Sequence, residues 1–188
     1  RLLEDPRSKA TQADLESQFA FLIKVRDETS KANDAVKLVR NIRSQIDDRT
    51  AKLPESKRAG FETSAKSLET TLSAAEKEIY QTQNRSGQDP LNYPIRLNNK
   101  IAALAGVASG ADAKPTNQTL EVYRILSAQL DVQLARIKSA LAQSLPVLNR
   151  DLAASGVAAI VESTEDIKNP DAVRSQEGDD EENENERR

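Results

Sequence analysis

Apolar residues recur every three or four positions along three long stretches of this chain, the spacing that lines one face of an α-helix. The longest run is Leu120, Tyr123, Ser127, Leu130, Leu134, Ile137, Leu141, Leu145, Leu148 and Leu152. A second run is Leu15, Phe19, Leu22, Val25, Thr29, Ala32, Val36, Val39, Ile42 and Ile46. A third is Phe61, Ala65, Leu68, Leu72, Ala75 and Ile79, and a shorter one is Leu97, Ile101, Leu104 and Val107. The pattern predicts helices near 11–50, 56–82, 94–108 and 116–152. None of these stripes is stable in water alone, so each helix requires the others.

Punctuation residues set the boundaries. Thr11 and Asp14 offer a cap and first-turn negative charge for the first helix. Pro54 separates the first two helices, and Asn84-Arg85-Ser86-Gly87 ends the second. In the turn-rich stretch that follows, Pro94 fits a first helical turn and Asn92 is placed to cap it. Pro115 suits the start of the last helix, whereas Pro146 falls inside it and predicts a kink. Beyond Ser155-Gly156, a short apolar piece at 157–161 is expected to fold back on the bundle.

The fold class expected is all-α: an up-down-up-down bundle with long helices, a shorter third helix and a disordered acidic C-terminal tail. Residues 1–10 form an extended lead-in, 11–161 the bundle and 162–188 the tail. The same three- and four-residue step also suits an intermolecular coiled coil. Short connections marked by Gly and Pro favour packing within one chain.

Composition narrows the possibilities. Aromatics are 3% of the 188 residues and Trp is absent, so Leu, Ile, Val and Ala must fill the core. The chain has no His, the commonest general base and transition-metal ligand, and no Cys. A charged fraction of 30% and a mean hydropathy of −0.64 fit solvated outer faces. The longest apolar stretches, 101–108 and 156–161, fall far below the roughly 20 residues of a membrane-spanning helix. Net charge is −3, yet residues 176–188 hold seven carboxylates against Arg187 and Arg188. The remainder therefore carries +2, too little for a nucleic-acid footprint. The first residue is Arg1 and Met is absent, which reads as a processed or truncated chain, or part of a longer one.

No catalytic constellation is legible. Asp47-Asp48 and the pair Glu76 and Glu78 sit at spacings that diverge on a helix, and a glycosidase needs two carboxylates facing across a cleft. Phosphate loops, His-based metal motifs and nucleophile elbows are missing, and no cofactor is expected. The residues that invite a role are Arg26 and Asn33 on the first helix and Arg96, Asn98 and Asn99 on the third. As multi-donor side chains they could form a ligand or glycan site. The reading preferred on physical grounds is a hydrogen-bonded polar layer that fixes helix register, with Arg96 and Asn98 reaching Asp27 or Asn33.

The stretch Leu91-Asn92-Tyr93-Pro94-Ile95-Arg96-Leu97-Asn98-Asn99-Lys100-Ile101-Ala102-Ala103-Leu104 resembles the C-terminal helical region of bacterial sortilin-like proteins with neuraminidase-type (Asp-box) repeats. Asp5-Pro6-Arg7 resembles the end of the strand preceding that region. Residues 19–43, with Arg26-Asp27 and Ile42-Arg43, resemble its first helix, and 115–134 its last. The resemblance implies a signal peptide, β-propellers and a β-sandwich upstream, and a secreted, periplasmic or cell-envelope location. It places any glycosidase chemistry on the propellers, so no catalytic residue is carried onto this chain. The function it implies is a non-catalytic module that packs against upstream domains or other protein subunits. Two other roles fit the residues: a region bordering the cleft of a glycan-degrading enzyme, and a coiled-coil subunit of a complex.

Overall fold

The computed structural model describes residues 8–84 and 91–164; residues 1–7, 85–90 and 165–188 lie outside the described residues, and the acidic tail lies among them. The fold is all-α, with four helices and no strand among the described residues: α1 Gln12–Lys52, α2 Glu55–Ile79, α3 Leu97–Ser109 and α4 Asn117–Ala153.

Side-chain capping explains two of the four helix starts. Thr11 accepts the Asp14 backbone N–H while the Asp14 carboxylate accepts the Thr11 N–H, a reciprocal capping box. Thr116 caps α4 through the Thr119 N–H, so Pro115 stands just outside the helix. Other ends are closed by neighbouring elements. Arg58 of α2 donates to the Leu53 and Ala51 carbonyls at the end of α1. Gln18 of α1 donates to the Ala108 and Ala111 carbonyls at the end of α3, at 2.6 and 2.7 Å. Each such bond satisfies a carbonyl that the helix itself leaves open.

Topology departs from the up-down-up-down order. Arg40 of α1 meets Glu76 of α2, Asn33 meets Asn98 and Gln18 meets Ala108. Descending α1 thus means ascending first α2 and then α3, so both run antiparallel to it. On α4, Tyr123 lies beside Phe21 and Lys24, and Ile137 faces Ala35 and Leu38, so α4 runs parallel to α1. The order is up, down, down, up, with α2 and α3 stacked end to end as one broken column and few contacts between them. Lengths explain it. At about 1.5 Å per residue, the 41 residues of α1 form a rod that the 25 of α2 cannot cover, and the 13 of α3 supply the rest.

Helix α3 starts at Leu97 rather than 94. Arg96 is its N-cap and makes no side-chain cap bond, so Asn92 does not cap it and Pro94 is not in its first turn. The Pro94 carbonyl is instead taken by the buried Gln81 amide at 2.9 Å, which ties the connector to the end of α2. Helix α2 stops at Ile79, because Tyr80 is extended. Helix α4 continues through Pro146 without interruption. Pro146 and Ala142, whose carbonyl loses its partner there, are both on the exposed face, where water can replace the bond.

The core is one continuous cluster of Leu, Ile, Val, Ala and Phe side chains. All six stripe positions expected on α2 are buried, as are Val25, Ala32, Val36, Val39, Ile42 and Ile46 on α1. The stripe fails toward the start of α1. Phe19 is 65% exposed and Leu15 lies at the surface, while Phe21 is buried and packs edge-on to Tyr123 at 5.5 Å between ring centres. At about 100° per residue, Phe21 sits about 40° from Val25 and Phe19 about 120°. Leu120 and Val107 are likewise exposed, and Thr119 and Ala108 take the inward positions.

Candidate functional site

The five polar residues do not form one layer. Asn98 is buried and its Nδ2 donates to Asn33 Oδ1 at 3.3 Å, while its own Oδ1 accepts the Asn99 N–H at 2.8 Å. That pair joins α3 to α1. Arg26 instead makes two bonds to its neighbour Asp27 on the exposed surface, so neither reaches α3. The Asn99 side chain is exposed. Arg96 turns the other way, into a shallow cleft of about 210 Å³ between the end of α2, the start of α3 and α4, together with Glu78, Lys100, Gln129 and Gln133.

The burial of two carboxylates escaped the sequence reading because each occupies a position that helical spacing assigns to the core rim. Glu76 is 4% exposed and held by Arg40 Nε at 2.7 Å and Arg43 Nη1 at 3.5 Å. The Arg40 guanidinium also lies 4.8 Å above the Tyr80 ring. Such a charge-assisted bond, reinforced by a cation–π contact, ties α1 to α2. Glu28 is buried with Lys31 Nζ at 3.0 Å. The signal that could have found Glu76 is its place directly after Ala75, facing two arginines three apart on α1.

The most developed polar arrangement lies where 157–161 returns to the bundle. Helix α4 ends in a Schellman turn: Gly156 takes φ +68°, its N–H bonds to the Ala153 carbonyl, and the Val157 N–H bonds to the Leu152 carbonyl. The chain then reverses over α1 and α4. Asn149 donates to the Ile160 carbonyl at 2.9 Å and accepts its N–H at 2.7 Å. Gln45 does the same to Val161, at 2.8 and 2.9 Å, and Arg49 Nε donates to the Ala158 carbonyl at 3.0 Å. Ile160 is 2% exposed. Sequence reasoning foresaw the return but not the two amides. Isolated Gln and Asn on a helix carry no spacing signal.

Hydrogen bonds and ion pairs near the surface account for the shifted ionisations. The Thr11 hydroxyl and backbone N–H hold the Asp14 carboxyl below its ordinary range. Lys52, then Arg49, does so for Asp48, and Arg124 for Glu121. Its bond to Glu28 raises Lys31. Glu76 and Glu78 diverge, one buried and one exposed in the cleft. Among the described residues no group of three or more Asp or Glu converges as a cation site. Also among them, no helix is long and apolar enough to cross a membrane. The chemistry on offer is hydrogen bonding to backbone, ion pairing and apolar contact. No protein-family model, curated protein or solved structure matches the chain.

Proposed function

We propose that this chain is a non-catalytic helical module of a larger secreted propeller protein, acting by packing against that protein's other domains or against another protein subunit. The observation that carries the reading is the uneven placing of exposed apolar side chains. Leu15, Phe19, Val107, Leu120, Val122 and Ile125 belong to the end built by α3, Leu91, Ile95 and Val132 to the junction of α2 and α3, and Val147 and Val161 to the end built by α2. Exposed apolar side chains concentrated in one region mark protein contacts more often than ligand chemistry. A domain preceding α1 would join at this end. The resemblance of 91–104 to the helical region of sortilin-like proteins supports the same reading, as does a chain without His or Cys. In this account the up-down-down-up column presents a surface.

The test is Phe19→Asp. It is expected to leave the melting temperature of the isolated chain within about 2 °C, since a surface substitution costs about 0.5 kcal/mol or less. In the full-length protein, a photo-crosslinker at position 19 is expected to join this module to an upstream domain or a second subunit. A large loss of stability together with no crosslink would place Phe19 in a core contact and remove the docking role.

A further inference from the structure

Residues 157–164 form a strip of non-helical backbone lying along the groove between α1 and α4, with no strand beside it. Its seat reads backbone rather than side chains. Asn149 and Gln45 each exchange a pair of hydrogen bonds with one residue of the strip, and the second donor hydrogen of Gln45 goes to Asn41 Oδ1, which fixes that amide's orientation. Only Ile160 is buried in the seat, while Ala158, Ala159 and Val161 remain exposed. Running toward the start of both helices, the strip then reaches an open trough of about 400 Å³. Leu38, Leu134, Ile137 and Leu141 floor it, Lys31, Asp34 and Lys138 stand at its rim, and Glu162 and Thr164 touch its edge. The strip satisfies the polar clamp and leaves Leu38 and Leu134 only half-buried, beside Ile137 and Leu141, which are already covered.

We propose that the α1–α4 groove is a binding site for a non-helical peptide segment of a partner protein, and that the strip is its occupant in cis. The occupant's chemistry follows from the seat. Two consecutive residues must present free N–H and C=O groups to Gln45 and Asn149, which excludes proline at both. The residue in place of Ile160 must be aliphatic, because that side chain alone is fully buried in the seat. An acidic residue suits the place of Glu162, beside the two rim lysines. A second aliphatic residue in place of Thr164 would cover the half-buried Leu38 and Leu134, and about one buried Leu is worth tenfold or more in affinity. A strip held by side-chain hydrogen bonds, the buried Ile160 and the half-buried Val157 opens locally at less cost than global unfolding. A partner that repeats its contacts and adds this one therefore displaces it.

The experiment is fluorescence anisotropy of two labelled peptides, Gly-Val-Ala-Ala-Ile-Val-Glu-Ser-Thr and the same sequence ending in Leu, titrated with the full chain. Ile160→Asp frees the seat and is expected to bind both peptides, the Leu form about tenfold tighter. The unsubstituted chain is expected to bind at least tenfold more weakly, and adding Asn149→Leu to Ile160→Asp to abolish binding. A folded Ile160→Asp chain that binds neither peptide, or binds equally well with Asn149→Leu, overturns the proposal. Should Ile160→Asp not fold, Ile160→Ala takes its place. Amide exchange of the unsubstituted chain provides a further readout. Ile160 and Val161 are expected to exchange faster than Leu141, and faster still with excess peptide. Equal protection of all three, unchanged by peptide, would make the strip a fixed part of the fold.

Discussion

Along the half of the column that α2 builds, α1 and α4 enclose Phe61, Ala65, Leu68, Leu72, Ala75 and Ile79, all but Phe61 1% exposed or less. Along the half that α3 builds, the same two helices enclose a partner of 13 residues, and the inward positions of the column include Asn98, Thr119 and Glu28. The first half is closed at its rim by Glu76, buried between Arg40 and Arg43. The second is held partly by polar bonds, Asn98 to Asn33 and Gln18 to two carbonyls, and leaves Phe19 and Val107 in solvent. One cross-section thus serves two tasks: the α2 half stabilises, and the α3 half has surface left for contact.

The largest expected effect lies in core truncation. Leu72→Ala or Leu141→Ala, each 1% exposed or less, should cost about 2–5 kcal/mol in urea unfolding. Phe19→Ala should cost about 0.5 kcal/mol or less. Equal losses would erase the distinction between the halves. Leu130→Ala, although nearer α3, should match Leu72→Ala because Leu130 is 0% exposed. Leu134→Ala should cost less, since that side chain is only partly buried.

Next comes Glu76→Ala, expected to destabilise by about 1–3 kcal/mol through the buried carboxylate's lost bonds. Arg40→Ala, measured by the same unfolding curve, should cost less than core truncation and couple with Glu76→Ala in a double-mutant cycle. Independent, additive effects would mean that the pair does not tie α1 to α2. Asn98→Leu should cost about 1 kcal/mol, by loss of one hydrogen bond and of the Asn33 partnership.

How much of this was legible follows from which residues carry information about their neighbours. Periodicity found all four helices, every buried apolar position of α2 and most of those of α1, because those helices pack against partners along their length. It misphased the start of α1. Over 41 residues two stripes with three- and four-residue steps coexist, and only the location of α3 and Tyr123 decides between Phe19 and Phe21. The column order was open to an argument from length, since a 25-residue helix cannot cover a 41-residue one. Of the polar candidates, Asn33 and Asn98 meet, whereas Arg26 finds Asp27 one residue away. A local partner is always available to an exposed Arg, and sequence spacing does not reveal which bond wins.

The smallest effect is the pH dependence. Asp14, Asp48 and Glu121 have folded pKa values below their ordinary 3.8 or 4.5. Their contribution is present above those values and lost as pH falls through the lower folded ones. Lys31 has the opposite sign, losing its contribution as pH rises through a folded value above 10.5. All four groups are exposed, so the melting temperature should decline only shallowly below about pH 4. A steep acid transition there would contradict the small weight given to these surface groups.

The central claim is that α2 and α3 follow one another in a single column opposite α1. Because the chain has no cysteine, spin labels at Ser56→Cys and Ser109→Cys report that directly by pulsed electron–electron double resonance. At about 1.5 Å per residue, two helices in series place the labels about 55 Å apart or more. A distance of about 20 Å, the value for α3 folding back alongside α2, would contradict the account.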